Sequence, residues 1–414
     1  MSRSVAAARQ ARRGKRGYFL VVETRKVGPG VRYQSTIMSG LLKAIPRRAF
    51  GQIVTEHDGD RYVKDFGSWS HLVTMVFAQL AGVSSLRELE ALWNAQGSMH
   101  YHLGAGAVHR TTLSDANRRR PSEIFAETFA RLTGLASRSL RRQGRQLMRL
   151  LDATPIPLNN LHDWASWNGR TRGLKCHVSY DPDEDRPIDL RITPATVNDV
   201  VVGRDLPIEA GAIYVFDKAY ADYGWWHRLH QKGCIFVTRP KTNVPLRIVR
   251  KRRLEPGARQ AAGIVSDATV HLASQQRCKL PILLRRIELQ REDGDILTLI
   301  SNDLRRPATE IAAFYRKRWQ IELLFRWIKQ HLKIRSFLGR SENAVRLQIY
   351  AAMIAYLLLR IAAATSRSTL PPIRFADLVR HRIAQRIPIA DIQKPPDTPP
   401  PNPVNPNQLA FAYA

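Results

Sequence analysis

The chain has 414 residues, with 65 Lys+Arg against 35 Asp+Glu, a formal charge of +30 and a pI near 10.8. An excess of this size points to a polyanionic partner rather than to a small neutral substrate. With 44% hydrophobic residues and this length, a wholly disordered basic protein is excluded and two or three domains with proper cores are expected. Three scattered cysteines, Cys176, Cys234 and Cys278, exclude a disulfide framework and a thiolate zinc site and fit a reducing cytoplasm.

The charge is not spread evenly. Four windows, residues 1–35, 118–149, 239–260 and 315–346, hold nearly all of the excess, each with eight or nine basic residues against one or two acidic ones. Blocks separated in this way suggest a long surface that meets phosphates at several places. Each block taken alone reads equally as a solvated helix face or tail.

Residues 1–35 read as a basic disordered arm, or as sequence upstream of a start at Met38; they lack the apolar centre of a signal peptide. Residues 36–145 read as a helical N-terminal DNA-binding domain. Within it, Trp69 to Leu80 is apolar at helical spacing, and Ser85-Leu-Arg-Glu88 is a capping box. A helix beginning near Thr112 runs into Arg118, Arg119 and Arg120. The connection from about Ala95 to Arg110 is too long for a tight helix-turn-helix, so bland helical packing is the other reading.

The pattern changes at Gln146. Leu147 to Asp152 is an apolar strand ending in a carboxylate. Leu174 to Tyr180 and Ile188 to Ile192 follow as strands around a turn-rich segment. Ala212 to Asp217 is a buried strand that again ends in Asp, and Cys234 to Thr238 follows after a helix. A meander followed by strand–helix–strand is an α/β sheet, placed at 146–238 as the first part of a core. Residues 239–302 read as a β-rich insertion of short strands, and Arg250, Lys251, Arg252 and Arg253 near its start are candidate DNA contacts. Residues 303–385 complete the core and add C-terminal helices. One long helix is expected from Thr309 to about Ile334, and a buried one over the apolar stretch Ile349 to Ala364, too short to span a membrane and interrupted by Arg360. Residues 386–414 read as a Pro-rich disordered tail.

Asp152 and Asp217 end apolar strands, where a carboxylate is costly unless it meets a cation or a hydrogen bond. Along the helix around Glu322, the residues Tyr315, Arg318, Glu322 and Lys329 fall within about 60° of one another at 100° per residue. Apolar faces flank this stripe on both sides, with Ile321, Leu324 and Ile328 on one and Trp319, Leu323 and Trp327 on the other, so an enclosed polar stripe is expected over a solvated face with i,i+4 pairs. His162, His177 and His227 have no metal-ligand spacing and read as ordinary polar or DNA-proximal residues. Trp225 and Trp226 read as core.

These residues resemble the DDE transposases of bacterial insertion sequences, in the insertion sequence four family. The helix signature of that family is Tyr, two residues, Arg, three residues, Glu, six residues, Lys; Tyr315, Arg318, Glu322 and Lys329 match it without a gap. Asp152 in Leu-Leu-Asp-Ala-Thr and Asp217 in Phe-Asp-Lys-Ala-Tyr match the first two acids, and the 105 residues between Asp217 and Glu322 suit the family's β-strand insertion. The N-terminal segments also look like those of one branch of the family, so the resemblance covers about residues 38–385. It implies an α/β fold: an RNase H-like mixed-sheet core with a β-strand insertion between the second Asp and the Glu helix, plus a helical N-terminal domain. It implies Asp152, Asp217 and Glu322 as catalytic and metal-binding acids, holding two Mg²⁺ ions that Mn²⁺ could replace. Tyr315, Arg318 and Lys329 are then phosphate contacts, beside Arg118, Arg119, Arg120, Arg250, Lys251, Arg252 and Arg253.

The activity implied is cleavage at the ends of the element and strand transfer of the 3′-OH into target DNA. The partners implied are double-stranded DNA, as terminal inverted repeats and target, and a second copy in a DNA-bound homodimer. No membrane is expected; the place is the bacterial cytoplasm, on the nucleoid. In the best-known members a Trp in the insertion stacks on a flipped base, but residues 227–313 hold no Trp or Tyr, so a hairpin route does not follow. The competing readings are a catalytically silent DNA-binding descendant and an RNase H-like nuclease without strand transfer. The intact acids stand against the first, and the helix signature stands against the second.

Overall fold

The computed structural model describes residues 35–142, 146–242, 244–272, 280–331 and 337–394; most of the basic arm and the tail beyond 394 lie outside the described residues. Among the described residues seven helices come first: α1 (Ile37–Leu42), α2 (Arg47–Glu56), α3 (Ser68–Ala81), α4 (Leu86–Asn94), α5 (Gly97–Leu103), α6 (Arg110–Arg119) and α7 (Glu123–Arg142). Residue chemistry marks their ends. Ser85 caps α4 by accepting from the Glu88 N–H at 3.2 Å, while the Glu88 carboxylate reaches back to the N–H and hydroxyl of Ser84, closing the capping box one residue earlier than its usual partner. Gly82, in the left-handed region at φ 73°, ends α3. Helix α5 fills the stretch that the sequence leaves as a long connection.

The sheet strands are β1 (Met148–Pro157), β2 (Gly173–Asp181), β3 (Arg186–Pro194), β4 (Ile213–Phe216), β5 (Ile235–Thr238), β6 (Leu246–Lys251), β7 (Ile264–Leu272), β8 (Leu284–Gln290) and β9 (Ile296–Ser301). Three short helices lie among them: α8 (Asp199–Asp205), α9 (Tyr223–Gln231) and α10 (Ala258–Ala262). The strands form one nine-stranded sheet in the order β3-β2-β1-β4-β5-β9-β8-β7-β6. Only β1 with β4 and β4 with β5 pair in parallel. The insertion therefore continues the core sheet, because β9 pairs antiparallel with β5 through Val237↔Ser301. Behind β4 and β5 the rings of Phe216, Trp225, Trp226 and Phe236 pack at centroid distances of 4.8 to 6.3 Å, and both tryptophans are buried, as core residues should be. Strand β1 runs five residues past Asp152, so this acid sits within a strand and not at its end. The pairing with β2 extends to Pro157↔Gly173, where a Cβ on residue 173 would meet the Ile156 carbonyl at 2.2 Å. Only glycine allows that approach.

Four helices follow the sheet: α11 (Ala308–Lys317), α12 (Trp319–His331), α13 (Glu342–Thr365) and α14 (Pro372–Arg382). The single long helix expected from Thr309 is interrupted at Arg318, whose N–H bonds to the Tyr315 carbonyl three residues back. Helix α13 is longer than its apolar stretch suggests. At 24 residues it is long and apolar enough to cross a membrane, yet 72% of its most apolar window is buried within the fold.

The chain divides into two compact units, and the division falls inside α7 and α12. One holds the sheet, α8 to α11 and the start of α12. The other holds the first six helices together with α13 and α14, the C-terminal helices that the sequence reading places in one segment, 303–385, with the second part of the core. The reason is long-range bonding. The Ile37 and Met38 N–H groups donate to the Gln385 and Ile383 carbonyls at 3.0 and 3.1 Å, and the Asn343 amide donates to the Asn117 and Arg120 carbonyls. Within the expected tail of 386–414, a short turn at Ile389–Asp391 is followed by a buried Ile392, so its first residues are part of the fold.

Candidate active site

The parallel pairing of β1 with β4 ends at Leu151↔Phe216, so Asp152, within β1, and Asp217, just past the end of β4, are the next residues on the two chains. The strand spacing of about 4.8 Å puts these acids side by side. Asp152 Oδ1 accepts from the Ala153 N–H at 2.8 Å. Asp217 caps a single 3₁₀ turn, Lys218–Tyr220, by accepting from the Lys218 N–H at 2.6 Å. Glu322 comes from the first turn of α12.

Arg318, at the break between α11 and α12, joins two of the three acids. Its Nη1 donates to Asp152 Oδ2 at 3.2 Å and its Nη2 to Glu322 Oε1 at 2.5 Å. The Arg318 side chain is 17% exposed, and the guanidinium lies 5.7 Å from the Tyr315 ring centroid. Burial pushes the Asp152 carboxyl up to about 6; the Ala153 N–H and Arg318 pull it down, and the nearby charges of Glu322 and Asp217 raise it again. Asp217 thus lies close enough to act on Asp152 through its field. Burial also raises the Tyr315 hydroxyl, which feels Arg318, Asp217 and Arg239. Among the described residues, no three His, Cys, Asp or Glu side chains already converge closely enough to hold an ion. Arg318 stands between two of the acids in their place.

The polar stripe is less enclosed than expected. Ile321, Leu324 and Ile328 are buried, but Trp319 and Leu323 on the other flank are 51% and 44% exposed, so one side of α12 is open. Lys329 is half-buried on α12, seven residues beyond Glu322.

The basic candidates divide sharply. Arg118, Arg119, Arg250, Lys251 and Arg253 are exposed, with Arg118 paired to Asp115 at 2.7 Å. Arg120 corrects the expectation of a DNA contact: it is buried and donates to the Gly59 and Phe66 carbonyls at 3.2 and 2.6 Å, with Asp60 at 3.7 Å. A guanidinium enclosed by its own fold cannot reach a phosphate. Arg252 is likewise committed inward, to the Leu304 carbonyl at 2.9 Å and to Asp267 at 3.6 Å. Arg149, within the second basic block, is fully buried between Asp181 and Glu209.

Sequence reading names His177 but not the polar network it joins beside the acids. His177, opposite Ala153 in the β1–β2 register, shares a hydrogen bond with the Thr193 hydroxyl at 2.9 Å and lies 3.5 Å from the Tyr220 hydroxyl. Asp199, held by Lys175 at 2.8 Å, is 3.8 Å from His177. Tyr220, buried against Gly203, ties the turn after Asp217 to the strand that pairs with β1. The signal was the aromatic three residues after Asp217, but only the register shows where it points.

Residues 143–358 match the family model described as the transposase DDE domain, and residues 33–106 match a domain of unknown function, DUF4372. The chain is 55% identical over 307 residues to y4zB of Sinorhizobium fredii, a protein named as a transposase, covering 73% of this chain and 85% of that one. It is 30% identical over 290 residues to a protein named as the transposase of insertion sequence element IS5377 from Geobacillus stearothermophilus, covering 69% and 76%. A Synechocystis protein named for insertion sequence element IS4SA is 26% identical over 264 residues, covering 63% and 73%.

Proposed function

The chain belongs to the transposase DDE domain family and is a DDE-type DNA transposase, and we propose that Asp152, Asp217 and Glu322 are its catalytic acids. The observation that carries this reading is the grouping around Arg318: Asp152 and Glu322 share one guanidinium, and Asp217 adjoins Asp152 from just past the end of the neighbouring strand. The charges of Glu322 and Asp217 add to burial in raising the proton affinity of Asp152, a crowding that DNA binding alone does not require. The donor set is all oxygen and fits a hard divalent cation. We assign Mg²⁺, as two ions, with Mn²⁺ able to substitute. Bound there, such ions supply activation of the attacking oxygen and stabilisation of the leaving one in an in-line displacement at phosphorus.

The residues of the chain position the DNA for that step. Arg318 presents a planar fork and Lys329 a point charge to the phosphate oxygens, and the Tyr315 hydroxyl donates a further hydrogen bond. With water as the nucleophile, the P–O3′ bond breaks and the element end is nicked. With the freed 3′-OH, the same displacement joins the end to target DNA. Arg118, Arg119, Arg250, Lys251 and Arg253 extend contact along the backbone. Terminal inverted repeats and target DNA are the substrates, a homodimer on DNA is the working form, and the bacterial cytoplasm, on the nucleoid, is the place.

Incubation of the protein with Mg²⁺ and duplexes carrying the element's ends tests the reading. Wild type is expected to nick and join them, and Asp217→Asn to lose both by at least about 10³-fold, the scale of a lost electrostatic catalytic group. Equal activity of the two proteins would sink the assignment.

A further inference from the structure

Arg318 lies where a cation shared by Asp152 and Glu322 would lie. One arm of its fork takes an oxygen of Asp152, on β1, and the other takes an oxygen of Glu322, on α12. The Glu322 pair alone would be an ordinary i,i+4 contact. The partner 166 residues away in sequence makes it a bridge across the site. The guanidinium is mostly shielded from water, and its Nε is buried with no hydrogen-bond partner among the described residues. A buried donor left unmet costs free energy, so its placement calls for a reason.

We propose that Arg318 is the resident counter-ion of the metal-free site, and that DNA phosphate draws it off the carboxylates so that divalent cations can take its place. This rests on the reading of Asp152, Asp217 and Glu322 as metal ligands. The chain of causes is electrostatic. Without a cation, like charges from β1, the end of β4 and α12 face one another in a half-buried site, and Arg318 neutralises part of that charge. When divalent ions arrive, the same guanidinium becomes a like charge at contact distance and blocks an oxygen of each acid. It cannot move into water without losing two ion pairs. A phosphate oxygen pair offers the same bidentate geometry and the same sign as a carboxylate, so the exchange is nearly even. Metal and DNA binding are therefore coupled through one side chain, and by linkage each tightens the other. The consequence is a site that stays metal-poor until DNA is in place.

Calorimetric titration of the full chain with Mn²⁺, with and without duplex DNA, reads this coupling without any turnover. In wild type, DNA is expected to tighten Mn²⁺ binding about tenfold, the equivalent of one ion pair of about 1.4 kcal/mol. Arg318→Ala, free of DNA, is expected to bind Mn²⁺ about tenfold more tightly than wild type, with little further gain from DNA. Arg318→Gln, which keeps the packing and removes only the charge, is expected to behave alike, and it serves if the alanine variant does not fold. Both variants should melt lower than wild type without metal and recover with Mn²⁺. DNA-free variants that bind Mn²⁺ no better than wild type overturn the proposal while leaving the metal reading intact, provided that Asp217→Asn binds it far more weakly. An Asp217→Asn protein with wild-type Mn²⁺ affinity overturns both.

Discussion

Arg118 and Arg120 stand two residues apart in one basic run, and their surroundings give them different work. At the end of α6 the Arg118 guanidinium is exposed and paired with Asp115 on its own helix. Arg120 lies beyond the helix, where its backbone turns extended and its side chain enters the loop between α2 and α3. There it takes two carbonyls that no helix or strand satisfies. Burial lowers its proton affinity, and Asp60 restores part of it. Exposed surface pairs contribute little, whereas removing one side of a buried polar contact strands the other. Arg120→Ala is therefore expected to destabilise the helical unit by about 2–4 kcal/mol and leave the salt dependence of DNA binding unchanged. Urea unfolding and binding isotherms at several salt concentrations check both halves. A stable variant with a shallower salt slope would return Arg120 to the DNA surface.

At the scale of elements, β6 and the α11–α12 break carry the most consequence. Strand β6 is the outer edge of the nine-stranded sheet, paired only with β7 and exposed along nearly its whole length. Charged side chains are the usual protection of such an edge against pairing with another chain. Here Arg247, Arg250 and Lys251 supply it, beside exposed Ile248 and Val249. If they also meet DNA, each neutralised phosphate adds about one to the slope of log affinity against log salt. Replacing Arg250 and Lys251 together by Ala should lower that slope by about two, uniformly across DNA sequences. An unchanged slope would leave β6 with edge protection alone. The break at Arg318 follows another logic. The interruption sets this residue at the junction of two helices, where a side chain can meet both β1 and the next turn. That placement made the bridge between Asp152 and Glu322 possible.

The whole molecule shows that a charge of +30 is not one surface. Arg120, Arg149, Arg252 and Arg285 are committed to the interior, the last held by Asp267 through two bonds of 2.7 and 2.9 Å. The helical unit also holds a buried titratable group, His71, bonded through Nε2 to the Asn117 amide oxygen at 2.8 Å. Burial, aided by the charge of Arg120, pushes His71 down to about 3, against an ordinary value of 6.5. The native state thus keeps His71 neutral while the unfolded chain takes up its proton. The resulting stability is full above pH 6.5 and is lost as pH falls toward 3, because the unfolded state then binds the extra proton. Melting temperatures measured from pH 7.5 to 4 should fall steeply below 6.5 in wild type. His71→Gln should show a flatter profile from a lower start, and parallel profiles would show that His71 plays no part.

Much was legible in the sequence because its physical basis is local. Short apolar runs placed every core strand, the capping box placed α4, and the spacing of Tyr315, Arg318, Glu322 and Lys329 marked α11 and α12 and the family that the comparisons then bore out. Those signals are short-range in sequence and survive in any window that contains them. The tertiary structure alone decided the rest. It carried β1 past Asp152, joined the insertion to the core sheet through β9, and turned α13 and α14 to the N-terminal helices. It also buried Arg120 and Arg149 and set Arg318 against two acids, one of them 166 residues away. A charged side chain looks the same in sequence whether it faces water, a carbonyl or a carboxylate. Which of these it meets depends on what the chain brings opposite it, and that is decided only when distant segments pack together.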